Sequence, residues 1–213
     1  MGLAAQKERV VAFGRKMVTA GLTTGSGGNI SVLTDDEDQV AITPSGIEYD
    51  DLTTDQIVVT NRSGQPAAPG LNPSSELGFH LSLYDQRPDI RAVVHTHSVY
   101  ATTFACLREA IPAVHYLVGY CGHQVRVAPY ATFGTPELAD NIVTTIGDDQ
   151  AVLLANHGLV AVGPSLSRAF AVAEEIELVA RIYHQTRAIG APHILPEAEM
   201  NRVLKRFKGY GQQ

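Results

Sequence analysis

The sequence predicts an α/β chain of the α+β type, a three-layer α/β/α sandwich around a largely antiparallel central sheet. Three observations point there. Apolar runs of strand length outnumber what a strict strand–helix–strand alternation would supply. Two of them, Ala151–Ala155 and Leu159–Val162, are separated only by Asn156-His157-Gly158, the spacing of a hairpin with the histidine at its tip. Long segments of helical period, above all Ser167–Ile189, supply the outer layers. At 213 residues the chain suits one domain over 1–213, with 196–213 expected to form a mobile C-terminal segment.

The elements follow in order. Val10, Val11, Met17 and Val18 share a stripe on a first helix, and Gly21 suits its C-terminal cap. Short strands are expected at Ile30–Val32, Val40–Ile42 and Ile57–Thr60, the first two separated by the acidic turn Asp35-Asp36-Glu37-Asp38. Ser74-Ser75-Glu76 should open a helix reaching Gln86, with a hydroxyl at the cap and an acid in the first turn. Ala92–His97 reads as a buried strand, and Ser98 as the cap of a helix to Ala105. Val125–Ala128 reads as a strand, with helices at Glu137–Ile146 and Glu197–Phe207.

Composition excludes several functions. Residues are 45% hydrophobic and 18% charged, ordinary for a globular protein, and the net charge of -6 argues against nucleic acid or a membrane surface as partner. Only Cys106 and Cys121 occur, so no disulfide framework is expected. The N-terminus lacks a signal-peptide core, and no apolar run approaches the ~20 residues of a membrane helix. A cytoplasmic enzyme is the expectation.

The chemistry concentrates in His95-Thr96-His97. Residues two apart on a strand project from one face, so both imidazoles can reach a single ion. A lone histidine at a strand end is ordinarily just hydrogen-bonded, but two buried together are costly without a shared partner. His157 joins them as a third candidate ligand, completing the three-imidazole layout of catalytic zinc, although spacing alone does not link it to the pair. His80, one turn after Glu76, is the rival ligand.

Gly25-Ser26-Gly27-Gly28-Asn29, Thr43-Pro44-Ser45-Gly46 and Ser74-Ser75 are short, hydroxyl- or glycine-rich and free of positive charge. Each alone reads as a plain turn; three beside a candidate metal site suggest backbone N–H groups and hydroxyls for an anion. The lysines Lys7, Lys16, Lys205 and Lys208 all lie near the termini, which disfavours a Schiff-base mechanism and leaves carbanion stabilisation to a metal. Glu76, beside both features, is the candidate general base, with helix-dipole compensation as its ordinary alternative.

Taken together, Gly25–Val32, Thr43–Ile47, Pro73–Glu76, Val93–His97, Ile111–Tyr116, Ala128–Thr135 and Asn156–Leu159 resemble, in order, the class II aldolase/adducin family, and the likeness extends into Phe207–Gly211. The resemblance implies a class II aldolase-like fold and a zinc-dependent aldolase with one Zn2+ per subunit. Its reaction would cleave L-fuculose 1-phosphate, or a related deoxy-ketose 1-phosphate, to dihydroxyacetone phosphate and an aldehyde. It implies His95, His97 and His157 as zinc ligands, with Glu76 touching the metal and then shuttling the proton. Ser26, Asn29, Thr43, Ser45, Gly46, Ser74 and Ser75 would hold the phosphate. Tyr116 would act across a subunit interface of a cyclic homotetramer, and Tyr210 near the acceptor. Within the family, a pentulose-phosphate epimerase typically carries Asp at the Glu76 position, methylthioribulose-1-phosphate dehydratase shares the His-Thr-His pattern and the Glu, and an adducin-like head is a non-catalytic scaffold. The intact histidines and Glu76 favour the aldolase.

Overall fold

The computed structural model describes residues 2–35 and 38–207. Its elements are α1 (Leu3–Thr19), β1 (Asn29–Leu33), β2 (Gln39–Ile42), β3 (Val58–Asn61), α2 (Leu77–Gln86), β4 (Ala92–Thr96), α3 (Val99–Leu107), β5 (Val127–Ala128), α4 (Pro136–Ile146), β6 (Ala151–Leu154), β7 (Gly158–Gly163), α5 (Leu166–Ile189) and α6 (Glu197–Phe207). The strands form one sheet in the order β3-β2-β1-β4-β7-β6-β5. Every neighbouring pair is antiparallel except β5 and β6.

Period-two burial splits the core into two layers. Ile30, Val32, Ala92, Val94, Leu153, Leu159 and Ala161 pack with Val10 and Met17 of α1, Phe104 of α3, and Phe170 and Ile176 of α5. Leu33, Val40, Val93, Val152, Val160 and Val162 pack with Phe79 and Leu83 of α2 and with Leu138 and Ile142 of α4. Fully burying one such side chain contributes about 1.5–3 kcal/mol, which makes alternation on both faces decisive for the sandwich.

α1 buries Gln6, Val10, Val11, Gly14 and Met17 and stops in a Schellman turn. Leu22 N–H donates to Met17 O and Gly21 N–H to Val18 O, with Gly21 at φ 70°. Thr135 caps α4 by accepting from Leu138 N–H, and Ser165 caps α5 by accepting from Arg168 N–H.

Two starts differ from expectation. α2 begins at Leu77 with Glu76 itself at the cap position and no side-chain cap bond of its own; the Ser74 hydroxyl accepts from Glu76 N–H at 3.3 Å in the turn before, and no acid stands in the first turn. Ser98 occupies the cap position of α3 without a side-chain cap bond; the Glu177 carboxylate of α5 accepts from the N–H groups of Tyr100 and Ala101 at 2.9 and 2.8 Å. A long-range carboxylate thus replaces the local hydroxyl. β5 is shorter than the expected Val125–Ala128, because Val125 pairs instead with Ile111, N–H to O in both directions at 2.9 and 3.0 Å. At the other edge the chain folds back on β3, with Asn61 N–H donating to Gln65 O and Ala67 N–H to Val59 O.

Antiparallel pairing gathers the motif loops at one end of the sheet. Asn29 faces His95, so the loop before β1 meets the end of β4. Thr96 faces Leu159, so the tip of the β6–β7 hairpin also arrives there. Ser31 faces Ile42, which brings in the loop after β2. The stretch before α2 is tied to that loop by Ser74 N–H to Thr43 O and Ser45 N–H to Asn72 O, both 3.1 Å.

Candidate metal centre and active site

His95 is the penultimate residue of the central strand β4 and is fully buried, its Nδ1–H donating to Leu159 O at 3.0 Å. A carbonyl only accepts, so the proton is on Nδ1 and Nε2 presents a bare lone pair. That Nε2 is 3.1 Å from His97 Nε2 and 3.3 Å from Glu76 Oε2. His157 Nε2 is 3.4 Å from Glu76 Oε1. The candidate ligand atoms of the three histidines all lie within 4.8 Å of one another. A tetrahedral site with bonds of ~2.0–2.1 Å has edges of ~3.3–3.4 Å, close to these separations. Glu76 Oε1 is buried yet has no hydrogen-bond partner, despite its closeness to His157. Lone pairs and a carboxylate converging without donors need a cation between them, so the residues fit a divalent metal.

Glycines make this convergence sterically possible. A Cβ on Gly158 would stand 2.3 Å from Thr96 O and 3.2 Å from His95 Cε1. A Cβ on Gly28 would stand 2.4 Å from His95 O, at a φ of 69° that side chains rarely adopt. The glycine-rich loop therefore packs against the histidine strand as well as bordering the cavity.

Electrostatics hold the site in a ligand-ready state. Burial foremost, then the neighbouring His95, brings the pKa of His157 down to about 4, and that of His97 likewise to about 4. Burial pushes the Glu76 carboxyl up, but His95, His157 and the Asn29 amide outweigh it and bring it to about 2. His97 and His157 are thus neutral and the Glu76 carboxylate ionised near neutral pH, as ligation requires.

In front of the cluster lies a cavity of about 390 Å³. Ser26, Ser45, Gly46, Ser74 and Ser75 line one wall, and Glu76, His97 and His157 the floor. Among the described residues no lysine or arginine lines it. Asn29 borders it, but its carboxamide turns inward to Glu76 and His80. Thr43 lies beneath, its hydroxyl accepting from Ile30 N–H at 3.2 Å. Tyr130 and Phe133 also line it, 53% and 64% exposed; their segment carried the resemblance but no assigned role.

His80 stands apart from the three-histidine cluster, its ring meeting Asn29 and Ser31. It is fully buried behind Asn29, its pKa brought down by burial to about 3. Tyr116 lies half-exposed on the 3-10 turn Tyr116–Tyr120, its ring tilted against His115 and outside the cavity wall. Tyr210 falls outside the described residues.

Fold and cluster together define a three-layer α/β/α protein with a three-histidine candidate metal centre opening on a hydroxyl-lined cavity whose described wall carries no lysine or arginine. Residues 8–184 match the family described as Class II Aldolase and Adducin N-terminal domain, and the chain belongs to that family. It is 50% identical over 213 residues to the 5-deoxy-D-ribulose 1-phosphate aldolase of Bacillus thuringiensis serovar kurstaki, covering 100% of both chains. It is 41% identical over 198 residues to the L-fuculose phosphate aldolase of Escherichia coli K12, covering 92% of this chain and 91% of the other. A solved L-fuculose 1-phosphate aldolase superposes with a TM-score of 0.93 at 43% identity over 96% of each chain.

Proposed function

We propose that this protein is a zinc-dependent aldolase that cleaves a deoxy-ketose 1-phosphate reversibly into dihydroxyacetone phosphate and a short aldehyde. The observation that carries the reading is Glu76, set between His95 and His157 with one oxygen undonated, at the floor of the cavity. Full-length identity of 50% to the deoxyribulose-phosphate enzyme, against 41% to the fuculose-phosphate enzyme, favours a five-carbon substrate. Such a substrate yields acetaldehyde as the second product, and L-fuculose 1-phosphate would yield L-lactaldehyde.

The serines of the three loops and the backbone around them receive the phosphate, consistent with the absence of cationic side chains from the described wall. A divalent ion held by His95, His97 and His157 would polarise the ketose oxygens and stabilise the negative charge developing there. The C3–C4 bond breaks as the C4 hydroxyl loses its proton, and the electron pair stays on C3 as an enediolate. Glu76 returns a proton to C3 and so releases dihydroxyacetone phosphate. The reading assigns Tyr116, exposed and remote from its own cavity, to the aldehyde oxygen in a neighbouring subunit of a homotetramer, with Tyr210 at the acceptor. Both cysteines are free, in keeping with a cytoplasmic location.

Replacing Glu76 by Gln should keep metal and phosphate binding and lower turnover about 10²–10⁴-fold. The assay measures dihydroxyacetone phosphate released from deoxyribulose and fuculose 1-phosphates, with and without chelator. Full activity in the Gln variant, or water loss without that product, would refute the proposal.

A further inference from the structure

Behind Glu76 four polar groups, Asn29, His80, Ser31 and Tyr84, continue an unbroken buried chain. Asn29 Nδ2 is 2.9 Å from Glu76 Oε2, and Asn29 Oδ1 is 2.6 Å from His80 Nε2. His80 Nδ1 is 2.6 Å from Ser31 Oγ, which is 2.7 Å from the Tyr84 hydroxyl. With the buried ring neutral, only one assignment of protons satisfies all four contacts. The carboxylate accepts, so the carboxamide turns its NH2 toward Glu76 and its oxygen toward His80. That oxygen accepts as well, so Nε2 of the neutral ring carries the proton and Nδ1 accepts from Ser31. Ser31 has then donated its one hydrogen and accepts from Tyr84.

The elements were built for this alignment. Asn29 and Ser31 alternate on one face of β1, while Glu76, His80 and Tyr84 recur every four residues along α2. His80 is fully exposed to neither solvent nor cavity, being buried and stacked on Phe79 at 4.5 Å.

We infer that His80 is a positioning residue: it locks the Asn29 carboxamide, which engages Glu76 Oε2 and leaves the undonated Oε1 as the atom that carries the proton to and from substrate. With His80 absent, the carboxamide oxygen loses its buried donor and the side chain is free to rotate away from Glu76 Oε2. The inference rests on the reading of Glu76 as the acid–base group.

The test follows the hydroxymethyl hydrogen of dihydroxyacetone phosphate exchanging with solvent deuterium in the metal-loaded protein. There the C–H bond breaks, the proton goes to Glu76, the pair stays on carbon as the enediolate, and a deuteron returns. His80→Phe should slow exchange and kcat about 10–100-fold while KM stays nearly constant, as expected for loss of a supporting partner. His80→Gln, which keeps a donor near the Nε2 position, should recover most of the rate. Nitrogen NMR of the wild-type ring, metal-free and loaded, should show the Nε2–H tautomer. A wild-type rate in the Phe variant, a Gln variant as slow as Phe, or an Nδ1–H or charged ring would overturn the inference. Should the Phe variant fail to fold, Ser31→Ala serves instead: it should mix the tautomers and slow exchange, and no change in either would count against the chain. If wild-type protein exchanges no hydrogen, the proposed function fails, while the tautomer measurement still judges the clasp.

Discussion

Glu76 and His95 show what a single residue owes to its neighbours. The meeting of His95 and His97 was legible because strand alternation puts them on one face; that His157 joins them was not, since spacing alone does not link a hairpin tip to that strand. The expected donor Asn29 was not legible as an inward clasp, since which way a carboxamide turns depends on the buried His80 facing it. His80 itself read as a rival ligand from its one-turn spacing to Glu76, yet its ring meets Asn29 and Ser31 rather than the cluster. At this scale the sharpest expectation concerns His95→Ala. Elemental analysis should find the bound metal largely lost, and activity should fall by at least about 100-fold, since even supporting partners of ligands cost about 10–100-fold. Undiminished stoichiometry would remove His95 from the ligand set.

Elements explain why the loops end where they do. Strand positions were readable from alternation to within a residue or two, and the hairpin from its spacing. Helix starts were less so: a serine before α2 and before α3 looked like a cap, but the α2 cap position makes no side-chain cap bond and a tertiary partner took over the role at α3. Glu76 leaves its own helix uncapped and turns its carboxylate to the histidines, and Glu177 caps α3 from a distance of 76–77 residues. Gly158 is the tightest joint, with Thr96 O in the place of a side chain. Gly158→Ala should push β7 from β4 and destabilise the protein by about 1–3 kcal/mol, the usual cost of overpacking. A denaturant titration reads this, and metal occupancy should fall with it; a variant as stable as wild type would mean the hairpin has slack.

Acid should unfold the whole molecule through its buried rings. His80 and His157 have folded values of about 3 and about 4, below the 6.5 of a free ring. Between 6.5 and those values the unfolded chain binds protons that the folded chain refuses, so stability is complete above 6.5 and drains as pH falls. Glu76, depressed from 4.5 to about 2, adds a further loss at still lower pH. Thermal midpoints of metal-free protein should therefore drop between about pH 7 and about pH 4, and a flat profile would contradict the burial of these rings. Metal at about 100 times its Kd adds about 2.7 kcal/mol. At ~2–4 °C per kcal/mol for a chain of this size, a chelator should lower the midpoint by roughly 5–10 °C.

The two ends of the sheet carry a consequence for self-association. The fold-back onto β3 and the Ile111–Val125 pairing ahead of β5 use up backbone groups that would otherwise template a foreign strand. A contact between copies of this chain would then rest on side chains of helices and loops, where sequence discriminates, rather than on strand addition at these positions.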